Sequence, residues 1–497
     1  MRGRWFLLPA AIVLTAGCST LPTATRQNGP DMREQMKQSL VYLEISSYSY
    51  DQFRPWKNTE VQQKSGIGVA VGDYEVITPA WNLTDATLIN VRRFGRNEFI
   101  PATVKVIDYE IDLALLRLDP NTAGGPLKPL RFVEQFRRGE KLDYYWLSGN
   151  DSLDTGHGYL DRAAVHQSTV SFTRLLNYIV TNTSGETGNG QVYFDGGKPI
   201  AIACWSEGTK EAGLIPAPII NGFLADAADG NYKGVACVGF AATELLDPAI
   251  RAYLKMPAEI KDGVLVTDVY NLGTGSDTLK AGDCILAIDG RQLDSYGRFL
   301  HPLYDRIAFD YLLTAHKVGE TVTFDIWRDG SRQQIKVEAR NFPAGQMLVP
   351  YYEYGRQPQY IITGGFVFQR VTRAYLANWG KDWVGKVTPH LYHYVRDLAF
   401  KPAPQRKDVV ILSYVLPAEI NLGYKDLGQI VVKKFNGVEV CSIADILAAQ
   451  KLNPDSIFDV VEFELDNPTV VIPRALLPIA DKQIAQTYGI RKMVNIE

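Results

Sequence analysis

Short runs of alternating apolar and polar residues, separated by Gly, Asp and Asn, follow one another along most of this 497-residue chain. Alternation with a period of two is typical of strands that bury one face, and the small residues between the runs favour tight turns. From about residue 38 to about residue 230 the runs fit two barrels of about six strands each. The length indicates about three domains, and a hydrophobic content of 46% is ample for packed cores. The sequence therefore predicts a mainly β fold.

Five segments of the predicted barrels belong together. They are Ser65–Val71 (Ser-Gly-Ile-Gly-Val-Ala-Val), Val76–Leu83 (Val-Ile-Thr-Pro-Ala-Trp-Asn-Leu), Ile111–Leu118 (Ile-Asp-Leu-Ala-Leu-Leu-Arg-Leu), Gly185–Gly190 (Gly-Glu-Thr-Gly-Asn-Gly) and Gly213–Ile220 (Gly-Leu-Ile-Pro-Ala-Pro-Ile-Ile). In this order they resemble the trypsin-like serine proteases of the HtrA/Deg family, from the opening strand to the closing helix. The resemblance implies a chymotrypsin-like double β-barrel.

Three positions of this resemblance correspond to a catalytic triad, and one of them keeps the family's residue. Asp112 matches the aspartate that orients the catalytic histidine. Trp81 stands in place of that histidine, and Thr187 stands in place of the nucleophilic serine. The resemblance also implies an oxyanion hole made of the backbone N–H groups of Gly185 and Thr187.

The two substitutions remove the chemistry of the triad. A hydroxyl becomes an effective nucleophile only when a base takes its proton, and a third group must hold that base in the right tautomer. Trp81 offers an indole N–H donor and no basic nitrogen. Losing the base costs on the order of a millionfold in turnover, and the β-branch of Thr187 restricts χ1 in a pocket shaped for serine. We therefore predict a serine endopeptidase fold without activity, a pseudoprotease.

Two alternatives stay open for this region. Of the six histidines in the chain, His157 and His166 fall within the first domain, and the default interpretation of both is a satisfied or solvated surface residue. If one of them served as the base, the protein would be an active endopeptidase that uses Thr187 with a non-standard base. Trp81 either fills the former active site as part of the core, which is the expected case, or stacks on a bound peptide.

The next unit carries the strand, turn and hairpin series of a PDZ domain. Gly263–Val269 and Leu279–Gly290 resemble its strands, and the Asp-Gly pair at the end supplies the positive φ of a tight turn. Val238, Gly239 and Phe240 match the short loop whose backbone N–H groups hold a peptide's terminal carboxylate or a bent main chain. The bound peptide then adds to the sheet as an extra strand, with a side chain in an apolar pocket.

A degenerate repeat of this unit follows. Val409–Val415 and Leu427–Gly437 repeat the strand and the hairpin, which indicates a second PDZ-like domain. Its candidate peptide-binding loop consists of Gly364, Gly365 and Phe366. The resemblance associates the second PDZ unit with assembly, so we expect this loop to contact a neighbouring subunit or an internal segment.

The resemblance covers nearly all of the mature chain and is strongest to the plant-type Deg branch with two PDZ domains. The segments that indicate this branch are Pro55–Asn58, Phe309–Leu312 and Lys433–Val440. A helix-forming insertion is predicted at about residues 372–400, and we expect its aromatic side chains in the core: Tyr375, Trp379, Trp383, Tyr392 and Tyr394. The branch implies a trimer-based homo-oligomer that binds unfolded proteins or peptide C-termini.

The start of the chain has the features of a secretory signal. Arg2 and Arg4 precede an apolar run that is too short for a membrane span. The run ends in Leu-Thr-Ala-Gly-Cys, which resembles a bacterial lipoprotein cleavage box with Cys18 as the lipidated residue. Ordinary signal cleavage nearby is the alternative. Ser19 carries no inner-membrane retention signal, so we expect the periplasmic side of the cell envelope, on the outer membrane rather than the inner one.

Composition and cysteine positions limit the kinds of partner and cofactor that we expect. A net charge of −3 and the lack of a broad basic stripe argue against nucleic acid. Cys204, Cys237, Cys284 and Cys441 lie in apolar β-type contexts without metal-ligand spacing, so we expect buried thiols, no metal and no cofactor. One disulfide, such as Cys204 with Cys237, remains permitted by an oxidising compartment.

The predicted organisation follows from these segments. The boundaries are 1–17 for the signal peptide, 18–37 for the lipid-anchored tether, 38–230 for the trypsin-like domain, 231–345 for the first PDZ domain and 346–497 for the second PDZ-like domain. The favoured function is capture of unfolded or C-terminal peptide segments at the envelope, as a scaffold, holding chaperone or regulator of an active partner. A structural lipoprotein with blocked PDZ grooves is a further alternative.

Overall fold

The computed structural model describes residues 30–168, 170–185, 188, 190–208, 210–351, 353–380 and 382–496. The predicted signal segment with Cys18 lies outside the described residues, and so does Thr187. In the described part of the chain the strands form two closed barrels and two further main sheets. The predicted fold class is therefore confirmed: a mainly β chain with a chymotrypsin-like double barrel followed by two PDZ-like domains.

The first barrel is built from six strands in the order β1-β2-β3-β6-β5-β4, preceded by a helix. The elements are α1 (Pro30–Ser39), β1 (Leu40–Ser49), β2 (Glu60–Gly72), β3 (Glu75–Thr78), β4 (Ala86–Arg93), β5 (Phe99–Asp108) and β6 (Leu113–Leu118). Val41, Leu43 and Ile45 are buried inside the barrel, while the residues between them on β1 are half-buried, as the alternation predicts. The strand β6 is buried along its length except at Arg117.

The second barrel closes in the order β10-β11-β12-β9-β8-β7. The elements are β7 (Lys141–Leu147), β8 (Leu153–Gln167), β9 (Arg174–Ser184), β10 (Val192–Asp195), β11 (Lys198–Glu207), β12 (Glu211–Pro216) and the closing helix α2 (Ala217–Ala228). A proline in the first turn of α2 is tolerated because the N–H that it lacks has no helical acceptor there. Ile220 and Phe223 of α2 share an apolar cluster with Leu113 of the first barrel, so this helix joins the two barrels.

The first PDZ-like domain has a main sheet in the order β13-β14-β15-β19-β20, with β16 paired to β15 and a separate β17–β18 hairpin. The elements are β13 (Phe240–Glu244), α3 (Pro248–Tyr253), β14 (Val264–Val269), β15 (Cys284–Ile288), β16 (Arg291–Gln292), β17 (Arg298–His301), β18 (Asp305–Ala308), α4 (Asp310–Thr314), β19 (Thr321–Arg328) and β20 (Ser331–Glu338). The φ angles of Asp289 and Gly290 are +47° and +73°, so the predicted hairpin turn is present.

The second PDZ-like domain has one sheet in the order β27-β26-β24-β23-β22-β21-β28, with β25 paired to β24. The elements are β21 (Tyr360–Thr363), β22 (Phe366–Arg370), α5 (Arg373–Ala377), α6 (Pro389–His393), β23 (Val410–Val415), β24 (Ile430–Phe435), β25 (Val438–Glu439), α7 (Ala444–Leu452), β26 (Phe458–Phe463), β27 (Val470–Pro473), α8 (Leu477–Tyr488) and β28 (Val494–Asn495). The last strand of the chain thus completes the sheet at β21.

The predicted helical insertion is present between β22 and β23. It contains α5, α6, a 3-10 helix (Trp383–Gly385) and a π-helix (Tyr394–Leu398). Tyr375, Trp383 and Tyr394 are buried, whereas Trp379 and Tyr392 pack partly buried on the same cluster. This cluster also contains Phe342, from the segment after β20, so the insertion packs against the first PDZ domain.

The four cysteines of the folded domains are free thiols. Cys204, Cys237 and Cys284 are buried and Cys441 is half-buried, so the disulfide that the sequence permitted between Cys204 and Cys237 is not formed. Burial raises the pKa of the Cys237 thiol to about 12, which keeps it protonated at neutral pH. None of the described helices has the length and apolar character that a bilayer span requires.

Candidate functional site: a vestigial triad and a PDZ groove

Trp81 lies in a 3-10 helix, Ala80–Leu83, between β3 and β4. Pairing of β3 with β6 brings this helix to the turn that contains Asp112. The Asp112 Oδ1 accepts a hydrogen bond from the backbone N–H of Trp81 at 2.7 Å, and the Asp112 carbonyl accepts one from the N–H of Ala80 at 3.1 Å. The carboxylate therefore holds the backbone of the residue that stands in place of the base.

Asp112 itself is in an unusual environment for a carboxyl group. Its residue surface is 4% exposed, and its φ of +56° is left-handed, a conformation that Asp tolerates better than most residues. Burial raises the pKa of Asp112 to about 7, although the N–H groups of Trp81 and Ala80 oppose this shift. The Oδ2 has no hydrogen-bond partner among the described residues. The group is thus poised between the protonated and the ionised form near neutral pH.

The side chain of Trp81 is on the surface. It is 46% exposed, so the expectation that it fills the former active site as core is wrong. The physical reason is local: Ala80 and Leu83 of the same short helix already fill the interior, and Asp112 fixes the Trp81 main chain. The indole remains available to contact a bound chain.

The space next to Asp112 is small. A cavity of about 10 Å³ is lined by Asp112 together with Asn177, Cys204 and Trp205. The Trp205 Nε1 donates to the Asn177 Oδ1 at 2.9 Å, and the indole lies so near Gly213 that a Cβ there would be 2.0 Å from it. This cavity has room for about one water molecule and none for a substrate side chain.

The nucleophile loop begins at Gly185, directly after β9. Gly185 has a φ of +83°, and a Cβ at this position would lie 2.9 Å from the Cα of Gly156. The preceding carbonyl, that of Ser184, accepts a hydrogen bond from the Tyr144 hydroxyl at 2.7 Å. Since Thr187 lies outside the described residues, its role and the oxyanion hole assigned to Gly185 and Thr187 stay predictions.

The two histidines of the barrels differ in their partners. The Nδ1 of His157 is 2.7 Å from the Asp143 Oδ1, and His157 on β8 pairs with Ser184 on β9. The ring of His166 packs on Trp205 at a centroid distance of 5.0 Å. The structure therefore places one histidine–carboxylate pair beside the start of the nucleophile loop.

The first PDZ domain has an open groove. The strand β13 pairs with β14, and its other edge has no strand partner in the described part of the chain. Phe240 of β13 stacks on Phe309, just before α4, with ring centroids 5.9 Å apart. An extended peptide can therefore add to β13 between this strand and α4.

The predicted carboxylate loop at the head of this groove is partly occupied. The N–H of Gly239 donates to the carbonyl of Thr274 at 2.9 Å, and Val238 forms a parallel bridge with the same residue. A Cβ at Gly239 would lie 2.7 Å from the Gly273 carbonyl carbon. The structure thus brings Val238, Gly239 and Phe240 to the predicted place, but the Gly239 N–H is already used within the protein.

The corresponding loop of the second PDZ domain is closed. Gly364 and Gly365, with φ of +56° and +81°, form the turn of the β21–β22 hairpin. The N–H of Gly364 donates to Asp481 at 2.7 Å, and the carbonyl of Gly365 accepts from Leu416 at 2.7 Å. Phe366 pairs with Thr363 of β21. The loop thus contacts internal segments, which is one of the two contacts expected for it, and β21 covers the edge of β22 where a peptide would add. The assignment of Gly364, Gly365 and Phe366 to peptide binding stays a prediction.

The sequence did not reveal a large cavity at the first PDZ groove. About 820 Å³ of space lies between the groove, the β8–β9 end of the second barrel and the helical insertion. Its charged lining includes Arg174, Arg373 and Arg396. Arg174 comes from the second barrel, whereas Arg373 and Arg396 come from the helical insertion of the second PDZ domain. The two groups share no motif, so only the packing of the domains brings them together.

Fold and site define the class of this molecule: a trypsin-like protease scaffold joined to PDZ domains. Residues 255–339 and residues 349–494 each match the PDZ domain family. Protease Do-like 2, chloroplastic, of Arabidopsis thaliana is 30% identical over 446 residues, which are 88% of this chain and 71% of that protein. The chain belongs to the HtrA/Deg family of Do-like proteases.

Other similarities have lower identity. Protease Do-like 4, mitochondrial, of Arabidopsis thaliana is 26% identical over 435 residues, which are 85% of this chain and 80% of that protein. Among solved structures, the HtrA-type protease AlgW with decapeptide covers 63% of this chain and 98% of its own, with 16% identity and a TM-score of 0.48.

Proposed function

We propose that this chain is a catalytically silent HtrA/Deg protein that binds unfolded or C-terminal peptide segments, as a scaffold, holding chaperone or regulator of an active partner. The observation that carries the inactivity is the Asp112 Oδ2, which has no hydrogen-bond partner among the described residues although Trp81 lies directly beside this carboxyl group. The carboxylate has no base to orient, and an indole cannot accept the proton of a nucleophile.

The peptide-binding half of the proposal is supported by the open edge of β13. A bound segment gains main-chain hydrogen bonds along this edge and an apolar site beside Phe240 and Phe309. The second PDZ domain does not compete for the same role, because β21 covers the edge of β22.

The cellular setting of the proposal rests on the sequence. Lipidation at Cys18 would anchor the protein to the periplasmic face of the envelope, with the outer membrane favoured, and the family resemblance favours a trimer-based assembly. Mass spectrometry of the amino-terminal peptide of the mature parent protein is expected to show acyl chains on Cys18. A mature chain with an unmodified Cys18 would contradict the anchor.

Digestion of unfolded casein tests the inactivity. The purified chain from residue 19 onward is incubated with casein beside a Thr187→Ala variant, and fragments are followed by gel electrophoresis over many hours. We expect no fragments from either protein. Cleavage by the parent that disappears in the Thr187→Ala variant overturns the proposal of a silent protein.

An active endopeptidase is the second candidate because of His157. Asp143 holds this imidazole at 2.7 Å, and its strand partner Ser184 lies three residues before Thr187 in the sequence. A carboxylate that orients a histidine beside a hydroxyl-bearing loop is the arrangement that a base requires. If the parent cleaves casein, this candidate requires His157→Ala to abolish cleavage and His166→Ala to preserve it.

A further inference from the structure

The cavity at the first PDZ groove is shared between domains. Phe240, Ala242 and Phe309 line it from the groove, Arg174 lines it from the second barrel, and Arg373 and Arg396 line it from the helical insertion. Because residues 240–242 of the open strand β13 face this space, a peptide that pairs with β13 comes to lie beside the insertion.

The acidic residues that line the cavity have cationic or histidine partners. The pairs are Asp268 with Lys401 at 2.6 Å, Asp310 with Arg174 at 3.3 Å, and Asp397 with His393 at 2.7 Å. Arg373 and Arg396 have no carboxylate within ion-pair distance in the part of the chain that the structure describes. The lining carries three arginines and three aspartates, and Arg373 and Arg396 are the two arginines whose charge remains to be paired by whatever enters the cavity.

The guanidinium of Arg373 is held in place by aromatic rings. It lies 4.3 Å from the ring centroid of Trp383 and 5.3 Å from that of Tyr351. Stacking on a ring face leaves the N–H groups at the edge of the guanidinium plane, where they can donate in parallel to a carboxylate. A positioned guanidinium loses less conformational freedom on binding than a free side chain does.

The backbone loop, by contrast, is partly used. The Gly239 N–H donates to Thr274 at 2.9 Å, so it is not free to bind a ligand carboxylate. The insertion adds side-chain donors, Arg373 and Arg396, for a negative charge at this groove.

We propose that the peptide bound along β13 carries a carboxylate that Arg373 and Arg396 bind. The carboxylate comes from an acidic side chain or from the chain terminus. This inference rests on the proposed peptide-binding function and adds the class of peptide to it. The second PDZ domain then acts in recognition through its insertion, although its own groove is covered.

Fluorescence anisotropy with three labelled, unstructured peptides tests the proposal. The first has acidic side chains and an amidated terminus, the second is neutral with a free terminal carboxylate, and the third is neutral and amidated. We expect the full chain from residue 19 to bind at least one of the first two about tenfold more tightly than the third. The preference should decrease as the salt concentration rises.

Matched variants assign the preference to the two arginines. Arg373→Gln and Arg396→Gln are each expected to reduce it several-fold, and Arg396→Lys to retain part of it, since charge remains but bidentate geometry is lost. Arg491→Gln is the control, because Arg491 is exposed in the same domain and does not line the cavity. Thermal melts of all variants verify that folding is preserved.

The outcomes distinguish failure of the carboxylate preference from failure of peptide binding itself. Equal affinity of the parent for all three peptides, or a preference that survives the combined Arg373→Gln and Arg396→Gln change, overturns the inference and leaves peptide binding in place. Failure of the parent to bind any peptide overturns both. The Ala242→Arg substitution fills the groove next to β13. If this variant binds none of the three peptides, the groove is supported as the peptide-binding site.

Discussion

At the residue scale, Asp112 is a carboxyl group that stays buried although no histidine is present to pair with it. One oxygen accepts the Trp81 N–H at 2.7 Å, and burial raises the pKa of the group to about 7. In an unfolded chain the pKa of Asp is about 3.9. Between these two values the folded protein holds a proton that the unfolded chain has released, so stability falls as the pH rises through this window.

Asp112→Asn is therefore expected to stabilise the protein at high pH. Asn keeps an oxygen for the Trp81 N–H, tolerates the left-handed φ and cannot ionise. The free energy of unfolding of the variant should exceed that of the parent by on the order of 2 kcal/mol at pH 8, and the two should differ little at pH 4. Denaturant titrations at both pH values measure this, with the exposed Asp455→Asn as control. A gain that does not change with pH would contradict the assigned pKa.

Two tryptophans differ in whether their side chains lie on the surface or in the core. Trp81 is 46% exposed, whereas Trp56 is 7% exposed and packs against Tyr360 with ring centroids 6.4 Å apart. We expect Trp81→Ala to lower the free energy of unfolding by less than about 1 kcal/mol, and Trp56→Ala to lower it by about 3–5 kcal/mol. Urea unfolding of both variants is the measurement, and a large loss at position 81 would refute its surface placement.

The sequence could predict the triad positions but not their surroundings. Asp112 and Trp81 sit in short strand-and-turn motifs, which are recognisable because they are local. The exposure of the indole depends instead on how Ala80 and Leu83 fill the barrel interior. A short sequence motif does not predict that packing. The unpaired Oδ2 of Asp112 is likewise a product of packing.

At the scale of elements, the two PDZ sheets differ in what lies beside the strand that would accept a peptide. The strand β13 ends its sheet, whereas β22 is followed by β21 and then by β28. The chain's own hairpin and last strand thus take the place of a ligand. One groove is open for binding, and the other has become part of the scaffold.

The glycine of the β21–β22 turn should be sensitive to substitution. A Cβ at Gly365 would lie 2.4 Å from the Asn421 Nδ2 and 2.5 Å from the Leu416 carbonyl oxygen, in addition to the strain of a φ of +81°. We expect Gly365→Ala to destabilise the protein by about 3 kcal/mol.

Gly437→Ala is the matched control for this turn. Its φ is +80°, but a Cβ there meets nothing within 4 Å, so strain alone should cost about 1 kcal/mol. Chemical denaturation compares the two variants. Equal losses would mean that Gly365 is not enclosed by Asn421 and Leu416.

These glycines also show where sequence analysis reached its limit at this scale. A Gly-Gly-Phe segment before a β-strand fits a carboxylate-binding loop and a hairpin turn equally well, because both need positive φ. The strand β21 decides between them, and its pairing with Val494 and Asn495 at the far end of the chain involves a sequence separation that no local motif spans.

At the scale of the whole molecule, the protease fold and the first PDZ domain are joined at the peptide groove. Arg174 begins β9 of the second barrel, and its guanidinium is 3.3 Å from Asp310, the first residue of α4. Asp310 is buried, and burial raises its pKa despite the opposing effect of Arg174. The groove beside β13 thus borders an ion pair that links two domains.

Removing Arg174 should loosen this junction. The Arg174 side chain is 51% exposed and that of Asp310 is 7% exposed, so solvent screening limits the loss from Arg174→Ala to about 1–2 kcal/mol. The loss should be greater at pH 8 than at pH 5, because the carboxyl group, with its pKa raised further, ionises without a partner. Adding Asp310→Asn should recover part of the stability, since the unpaired charge is removed.

The control for this double-variant cycle is Arg162→Ala. Arg162 pairs with Asp161 at 2.7 Å on the exposed side of β8, with side-chain exposures of 50% and 45%, and such a pair contributes about 0–1 kcal/mol. Calorimetry at both pH values should show a separate, earlier transition of the first PDZ domain in Arg174→Ala but not in Arg162→Ala. Identical melting profiles for the two variants would mean that the Arg174–Asp310 contact does not couple the domains, and peptide affinity would then be independent of the barrel.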